Sequence, residues 1–174
     1  LESIRMMAFT AGNREVANAI KLLGKSMRYV LENTGTSSTT LKKELDYIDT
    51  YIAIQKLRFQ DRISYHLNVP EGFDLEKYQI LPLLLQPIVE NCITHGLKDM
   101  DEAGEITVCI REEEKELLLI NISDNGTGMA EEDIRALTDS IYGKKQDSAN
   151  IGLYNINQRI KLCYGTLYGM TIQS

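Results

Sequence analysis

The hydrophobic period changes once along this chain, close to residue 62, and that change limits the folds open to it. Before it, apolar residues recur every three or four positions. Val16, Ala17, Ile20, Leu23, Met27, Val30 and Leu31 form one stripe, and Leu41, Leu45, Ile48, Ile52 and Leu57 form a second. Each stripe predicts an amphipathic helix. Between them residues 33–40 are rich in Ser, Thr and Gly, and Thr40 is the simplest N-cap for the second helix. Ala11-Gly12-Asn13 is a turn signal, so residues 1–10 read as the tail of an earlier helix. Two amphipathic helices joined by a short polar loop make an antiparallel hairpin. Such a hairpin has too little core to stand alone, so it must pack on a second copy, on the rest of the chain, or on both.

From Ile63 the period is two, with Ile63, Tyr65, Leu67 and Val69 alternating into a strand that leaves through Pro70-Glu71-Gly72. A helix is expected over 80–97, strands over 106–111 and 117–123, and a helix over 130–140. A polar loop over 143–150, a helix over 152–164 and a strand over 168–173 complete the expectation. The class is α+β, with helices on one face of a largely antiparallel sheet. The division expected is 1–62 for the hairpin and 63–174 for the mixed domain.

Composition narrows the function. At 174 residues, 43% apolar and 25% charged, the chain can bury a sizeable core and does not have the composition of a disordered one. A net charge of −6 repels phosphate on average and offers no footprint for nucleic acid, so any bound phosphate must be held by local geometry. The longest apolar run, 81–89, is too short for a membrane span and is interrupted by Pro82, Gln86 and Pro87. Cys92, Cys109 and Cys163 are odd in number and lack metal-ligand spacing, which predicts buried, reduced thiols in a reducing compartment. The chain opens on Leu1 with no signal-peptide pattern and reads as a piece of a longer protein.

Three segments carry chemistry. At ~100° per residue, Asn91, Thr94, His95 and Lys98 fall on one arc beside Glu90, whereas Leu81, Leu85, Ile88, Val89, Cys92 and Ile93 fall on the other. Taken alone the polar arc reads more simply as a solvated face, although Asn and Thr are poor choices for helicity. Pro87 also sits where a helix interior would lose a backbone bond. Second, Asp124-Asn125-Gly126-Thr127-Gly128-Met129 follows a strand with Leu118, Ile120 and Ile122 inward, and its alternate glycines let backbone approach a ligand closely. By itself it is equally a plain Asp-Asn-Gly turn. Third, Asn150-Ile151-Gly152-Leu153 opens a helix whose free N–H groups suit a phosphate.

In this order the three segments resemble one family. Pro87-Ile88-Val89-Glu90-Asn91-Cys92-Ile93-Thr94-His95-Gly96 is similar to the N box of histidine kinases. Asp124 to Met129 is similar to their first glycine box, and Ile151-Gly152-Leu153 with Asn155 and Arg159 to the second. The ATP-binding domain so resembled is that shared by gyrase-, Hsp90-, histidine-kinase- and MutL-type proteins. The run Glu44-Leu45, Tyr47-Ile48, Tyr51-Ile52, Leu57-Arg58-Phe59 ahead of the N box resembles sensor histidine kinases of the LytS type.

The resemblance implies a two-layer α/β sandwich of the Bergerat type preceded by the helical hairpin. It implies ATP and Mg²⁺ as ligands, with Asn91 on the metal and Glu90 as general base. Asp124 would accept the adenine amine, Gly126 and Gly128 would let the chain wrap the base, and Gly152 and Leu153 would donate backbone N–H groups to phosphates. His95 and Lys98 would either touch phosphate or be structural, and the loop 141–150 would be a lid. The phosphoryl group would pass to a His on an upstream helix and then to an Asp of a response regulator. The implied setting is the cytoplasmic portion of a membrane-anchored sensor, homodimeric through the hairpin. Three departures stand out: Asn150 replaces the Gly that usually opens the second box, the family's His-Phe motif is absent, and strands expected after 168–174 are cut short. The alternatives are another ATPase of this fold, an anti-sigma-type serine kinase, or a non-catalytic nucleotide-binding dimerisation module.

Overall fold

The computed structural model describes residues 1–59, 62–97, 103–113, 117–143 and 151–174. Helix α1 (Glu2–Thr10) turns back into α2 (Arg14–Asn33) through Gly12 at φ +79°, a left-handed conformation that glycine adopts without steric cost. Asn13 Oδ1 caps α2 by accepting the Val16 N–H at 3.1 Å. A two-residue strand β1 (Thr39–Thr40) leads into α3 (Leu41–Phe59), and Thr40 Oγ1 accepts the Lys43 N–H at 3.3 Å, as the N-cap expected of it should.

The remaining elements are β2 (Ile63–Asn68), β3 (Gln79–Ile80), α4 (Gln86–Asn91) continued by a π-helical turn (Cys92–Gly96), β4 (Gly104–Glu113), β5 (Leu117–Asp124), α5 (Glu131–Ile141) and α6 (Ile151–Tyr164). The sheet order is β2-β4-β5. It is mixed rather than largely antiparallel: β4 and β5 pair antiparallel with Ile106 opposite Asp124, but β2 pairs parallel to β4 with Ile63 opposite Gly104. A separate antiparallel pairing of Thr39 with Ile80 and Thr40 with Gln79 joins the start of α3 to the approach to α4.

Alternation on β4 sets the layers. Ile106, Val108 and Ile110 are buried, and Leu118, Ile120 and Ile122 of β5 lean on the same core. The helices cover that face with Leu41, Leu45, Ile48 and Ile52 of α3, Val89 of α4 and Ile156 of α6. The second helical stripe is therefore inside the α+β core, except for Leu57, which is 46% exposed. The first stripe is not: in α2 only Ala17 is buried, whereas Val16, Leu23, Met27 and Leu31 face outward. No described helix is long and apolar enough to cross a membrane.

Three further expectations change. The helix expected over 80–97 begins only at Gln86, because the backbone N–H groups of 83–85 bond a distant side chain instead of a helical turn. Residues 168–173 form no strand: the Met170 N–H goes to Asn157 Oδ1 at 3.0 Å and the Met170 carbonyl accepts from Tyr142 Oη at 3.0 Å, so side chains replace a ladder. All three thiols are free, but only Cys92 is buried; Cys163 is exposed.

Burial separates the α3 residues energetically. Ile48→Ala, at a site with no exposure, should lower unfolding free energy by about 2–5 kcal/mol, whereas Leu57→Ala should change it by less than about 0.5 kcal/mol. Urea denaturation of both variants measures the contrast.

Candidate functional site

The N-box helix is short because of what precedes it. Pro82 and Pro87 lack N–H donors, and Leu83 lies at φ +54°, a region that a side-chain-bearing residue enters only when its surroundings compel it. The compelling group is Glu44 of α3, whose side chain has no exposure. Its Oε1 accepts the N–H groups of Leu84 at 2.8 Å and Leu85 at 2.9 Å, and its Oε2 accepts that of Leu83 at 3.0 Å and the hydroxyl of Tyr29. On the other side, Arg159 of α6 donates to the carbonyls of Pro82 at 2.6 Å and Leu83 at 3.3 Å, and Tyr164 Oη accepts the Leu81 N–H at 3.1 Å. The turn over 81–85 is thus tied to α3 and to α6 at once.

From this anchor α4 delivers the two arcs expected of the N box. Val89, Cys92 and Ile93 are buried, Asn91 is half-buried, and Glu90, Thr94 and His95 are exposed. Thr94 Oγ1 donates to the Glu90 carbonyl at 2.8 Å, and the Leu97 N–H reaches the Cys92 carbonyl at 3.0 Å, the five-residue spacing of a π turn. Lys98 and Asn150 lie outside the described residues, as do 144–150 of the expected lid.

Asp124, at the end of β5, is brought against this helix. Its Oδ1 accepts the Gly126 N–H at 2.9 Å, and Asn125 holds the loop by accepting from the Glu105 N–H at 2.7 Å and donating to the Ala103 carbonyl at 3.3 Å. The Thr127 N–H donates to the Gly96 carbonyl at 3.4 Å. A Cβ on Gly126 would sit 2.3 Å from the Gly96 carbonyl oxygen, and one on Gly96 would sit 2.5 Å from Asp124 Oδ1. Both glycines are therefore needed for the approach. Gly128, at φ +67°, makes the left-handed bend that follows. Cys92 lies beneath, its thiol pushed up to about 12 first by burial and then by the charge of Asp124.

Gly152 and Leu153 occupy the first turn of α6, Gly152 exposed with open space where a Cβ would be and Leu153 packed on the core. Among the described residues no hydrogen bond joins them to Asp124 or Asn91. Arg159, read as part of the second glycine box, clamps the carbonyls of 82 and 83. The residue that the motif reading passed over is Glu44, yet it carries a signal: it falls three positions after Leu41 and four before Ile48, a carboxyl group on an apolar stripe.

Residues 80–172 match the family of histidine kinase-, DNA gyrase B- and HSP90-like ATPases, more than half of the chain. The chain belongs to that family. Residues 1–63 match the histidine kinase family. A sensor-like histidine kinase of Staphylococcus epidermidis is 34% identical over 147 residues, covering 84% of this chain and 28% of its own. Sensor histidine kinase YesM of Bacillus subtilis is 31% identical over 175 residues, covering all of this chain and 28% of its own. Sensor protein kinase HptS of Staphylococcus aureus is 31% identical over 84% of this chain and 27% of its own. These similarities agree with the LytS-type resemblance. The chain spans just over a quarter of the length of these relatives. Among solved structures, a histidine kinase domain from Erythrobacter litoralis EL346 aligns over 88% of this chain and 69% of its own, at 15% identity and a TM-score of 0.47.

The thiols give a direct check on the floor of this ATPase-family site. At pH 8 iodoacetamide should label exposed Cys163 and leave Cys92 unmodified in the folded protein. Because the Cys92 value rises from 9.0 to about 12 on folding, the stability it contributes is complete below pH 9 and lost as pH climbs towards 12. The fall in melting temperature across that window should be shallower in Cys92→Ala.

Proposed function

We propose that this chain is the ATP-binding catalytic portion of a sensor histidine kinase, holding Mg·ATP so that the γ-phosphoryl passes to a histidine on an upstream helix and then to a response-regulator aspartate. The observation that carries the reading is the seating of Asp124 against Gly96, Gly126 and Cys92, a carboxylate at a close glycine approach on the π turn that continues the helix bearing Glu90 and Asn91. A carboxylate there accepts an exocyclic amine and discriminates adenine by leaving a wrong base unpaired.

The donor set fits a magnesium ion shared with phosphates. The described residues hold no cluster of three metal-binding side chains, and the polar arc offers one amide oxygen, Asn91, beside one carboxylate, Glu90. Magnesium is commonly held by one or two protein oxygens, with phosphates and water completing its shell. Bound there, it would neutralise charge developing on the phosphoryl oxygens. Glu90 would take the proton of the attacking imidazole, and its exposure leaves it free to meet a helix arriving from outside. Gly152 and Leu153 would present N–H groups to phosphate at the start of α6, and Gly126 and Gly128 would let the loop close on the base. His95 is exposed on the same arc and would reach phosphate from there.

The remaining parts of the reading concern partners. The outward apolar residues of α1 and α2, among them Met7, Leu23, Met27 and Leu31, suit a homodimer formed through the helical segment 1–62, leaving 63–174 as the nucleotide domain. Membrane attachment would come through other segments of the longer protein.

Asp124→Ala should weaken ADP binding by about 1–3 kcal/mol, roughly five- to 150-fold, in titration calorimetry. Equal affinity in the variant and the wild type would refute the assignment. Gly152→Ala should separate stability from ligand contact. Its Cβ meets nothing within 4 Å, so α6 should gain up to about 1 kcal/mol while the added methyl, facing incoming phosphates, lowers ATP affinity. In the longer protein, acid-labile label from γ-labelled ATP should appear on a histidine other than His66 and His95, by peptide mapping at alkaline pH.

A further inference from the structure

The turn over 81–85 is the only backbone between β3 and α4, and its residue Leu85 lies five positions before Glu90. Its three consecutive N–H groups are taken by one carboxyl group, Glu44, and that group also receives the hydroxyl of Tyr29 from α2. A second route runs in parallel. The Tyr29 ring stacks on that of Tyr47, with centroids 4.3 Å apart and planes at 15°, and Tyr47 Oη donates to Gln86 Oε1 at 3.1 Å, in the first residue of α4. So one tyrosine on α2 reaches the start of the N-box helix through a carboxyl group and through a stacked ring.

Elsewhere α2 is loosely held. Of its 20 residues only Ala17 is buried, and its other apolar side chains lie outside the core. An element packed in this way can shift with little loss of buried surface, whereas α3 and α4 share one core and cannot. The contact of Tyr29 with Glu44 and Tyr47 is therefore where a displacement of α2 would be felt by the nucleotide site.

We infer that Tyr29 and Glu44 are positioning residues for phosphoryl transfer, through which the placement of α2 sets the 81–85 turn and with it the orientation of Glu90 and Asn91. The inference rests on the reading of Glu90 and Asn91 as base and metal ligand. Arg159 extends the junction. Its bonds to the carbonyls of Pro82 and Leu83 connect the same turn to α6, whose first turn bears Gly152 and Leu153, so the helix at the proposed phosphate end and the upstream helix bear on one strained loop. The role differs from nucleotide binding, because neither Tyr29 nor Glu44 lies on the polar arc that would meet the ligand.

Tyr29→Phe in the full-length protein tests this, because it keeps the stacked ring and removes only the hydroxyl. Autophosphorylation kcat should fall about tenfold or more, with KM for ATP and calorimetric ADP affinity within twofold of wild type and the melting temperature within a few degrees. Amide hydrogen exchange at 83–85 should quicken in the same variant. An unchanged kcat overturns the inference. So does a loss in which kcat, ADP affinity and melting temperature decline together, since the hydroxyl would then serve folding alone. Failure of the wild-type protein to bind ADP would instead bring down the underlying site reading, and shows itself before any variant is made.

Discussion

The structure depends on one buried carboxyl group. Glu44 has no exposure and sits on a helix face otherwise made of Leu41, Leu45, Ile48 and Ile52, where an unpartnered polar group would cost several kcal/mol. It is tolerated because it accepts three backbone N–H groups and a tyrosine hydroxyl. The dependence runs both ways. The turn over 81–85 can leave helical geometry, with Leu83 at φ +54°, only because an outside acceptor takes the N–H groups that a helix would have used. An apolar residue at 44 would orphan three donors, those of Leu84 and Leu85 buried and worth about 1–3 kcal/mol each, so this position is far more constrained than an ordinary core site.

That bond also explains which parts of the fold were legible in the sequence. Elements governed by local pattern were: the Thr40 cap, the stripe from Leu41 to Ile52, the strands of β4 and β5, and the division of the N box into a buried and an exposed arc. Each follows from a period of 3.6 or 2 and from side chains only a few positions apart. The elements that differed are governed by partners far along the chain. Helix α4 starts late because Glu44, about 40 positions upstream, takes its first N–H groups; the segment after Tyr168 forms no ladder because Asn157 takes the Met170 N–H; β2 lies parallel to β4 through a crossover that no local signal encodes.

The candidate site divides in the same way. Asp124, Gly126, Glu90 and Asn91 are singled out by three motifs that in their order resemble one family, since each segment taken alone also reads as a turn or a solvated face. What the motifs did not contain is why these groups stand where they do. Gly96 matters less for its own flexibility than for the carbonyl and the vacant Cβ position it presents to Gly126 and Asp124. Arg159 likewise carries a charge that invites a phosphate, yet its guanidinium is spent on two backbone carbonyls of the 81–85 turn, where its planar fork of donors suits paired acceptors.

The polar groups that α3 presents towards α4 form a rail in the order of the chain. Glu44, Tyr47 and Tyr51 are spaced at i, i+3 and i+7, one face of a helix, and they meet in sequence the turn at 83–85, then Gln86, then the field of Glu90. The Tyr51 hydroxyl is pushed up to about 12, first by burial and then by the Glu90 charge, so it stays protonated near neutral pH. A helix that contacts its neighbour at two successive points, Glu44 on residues 83–85 and Tyr47 on Gln86, constrains its rotation about its own axis as well as its position, which one contact could not do. The polar arc of α4 therefore takes its aim from α3 as much as from its own sequence. That is the physical reason why the helical segment and the α/β elements after it, which the change of period divides into two units, share a single core.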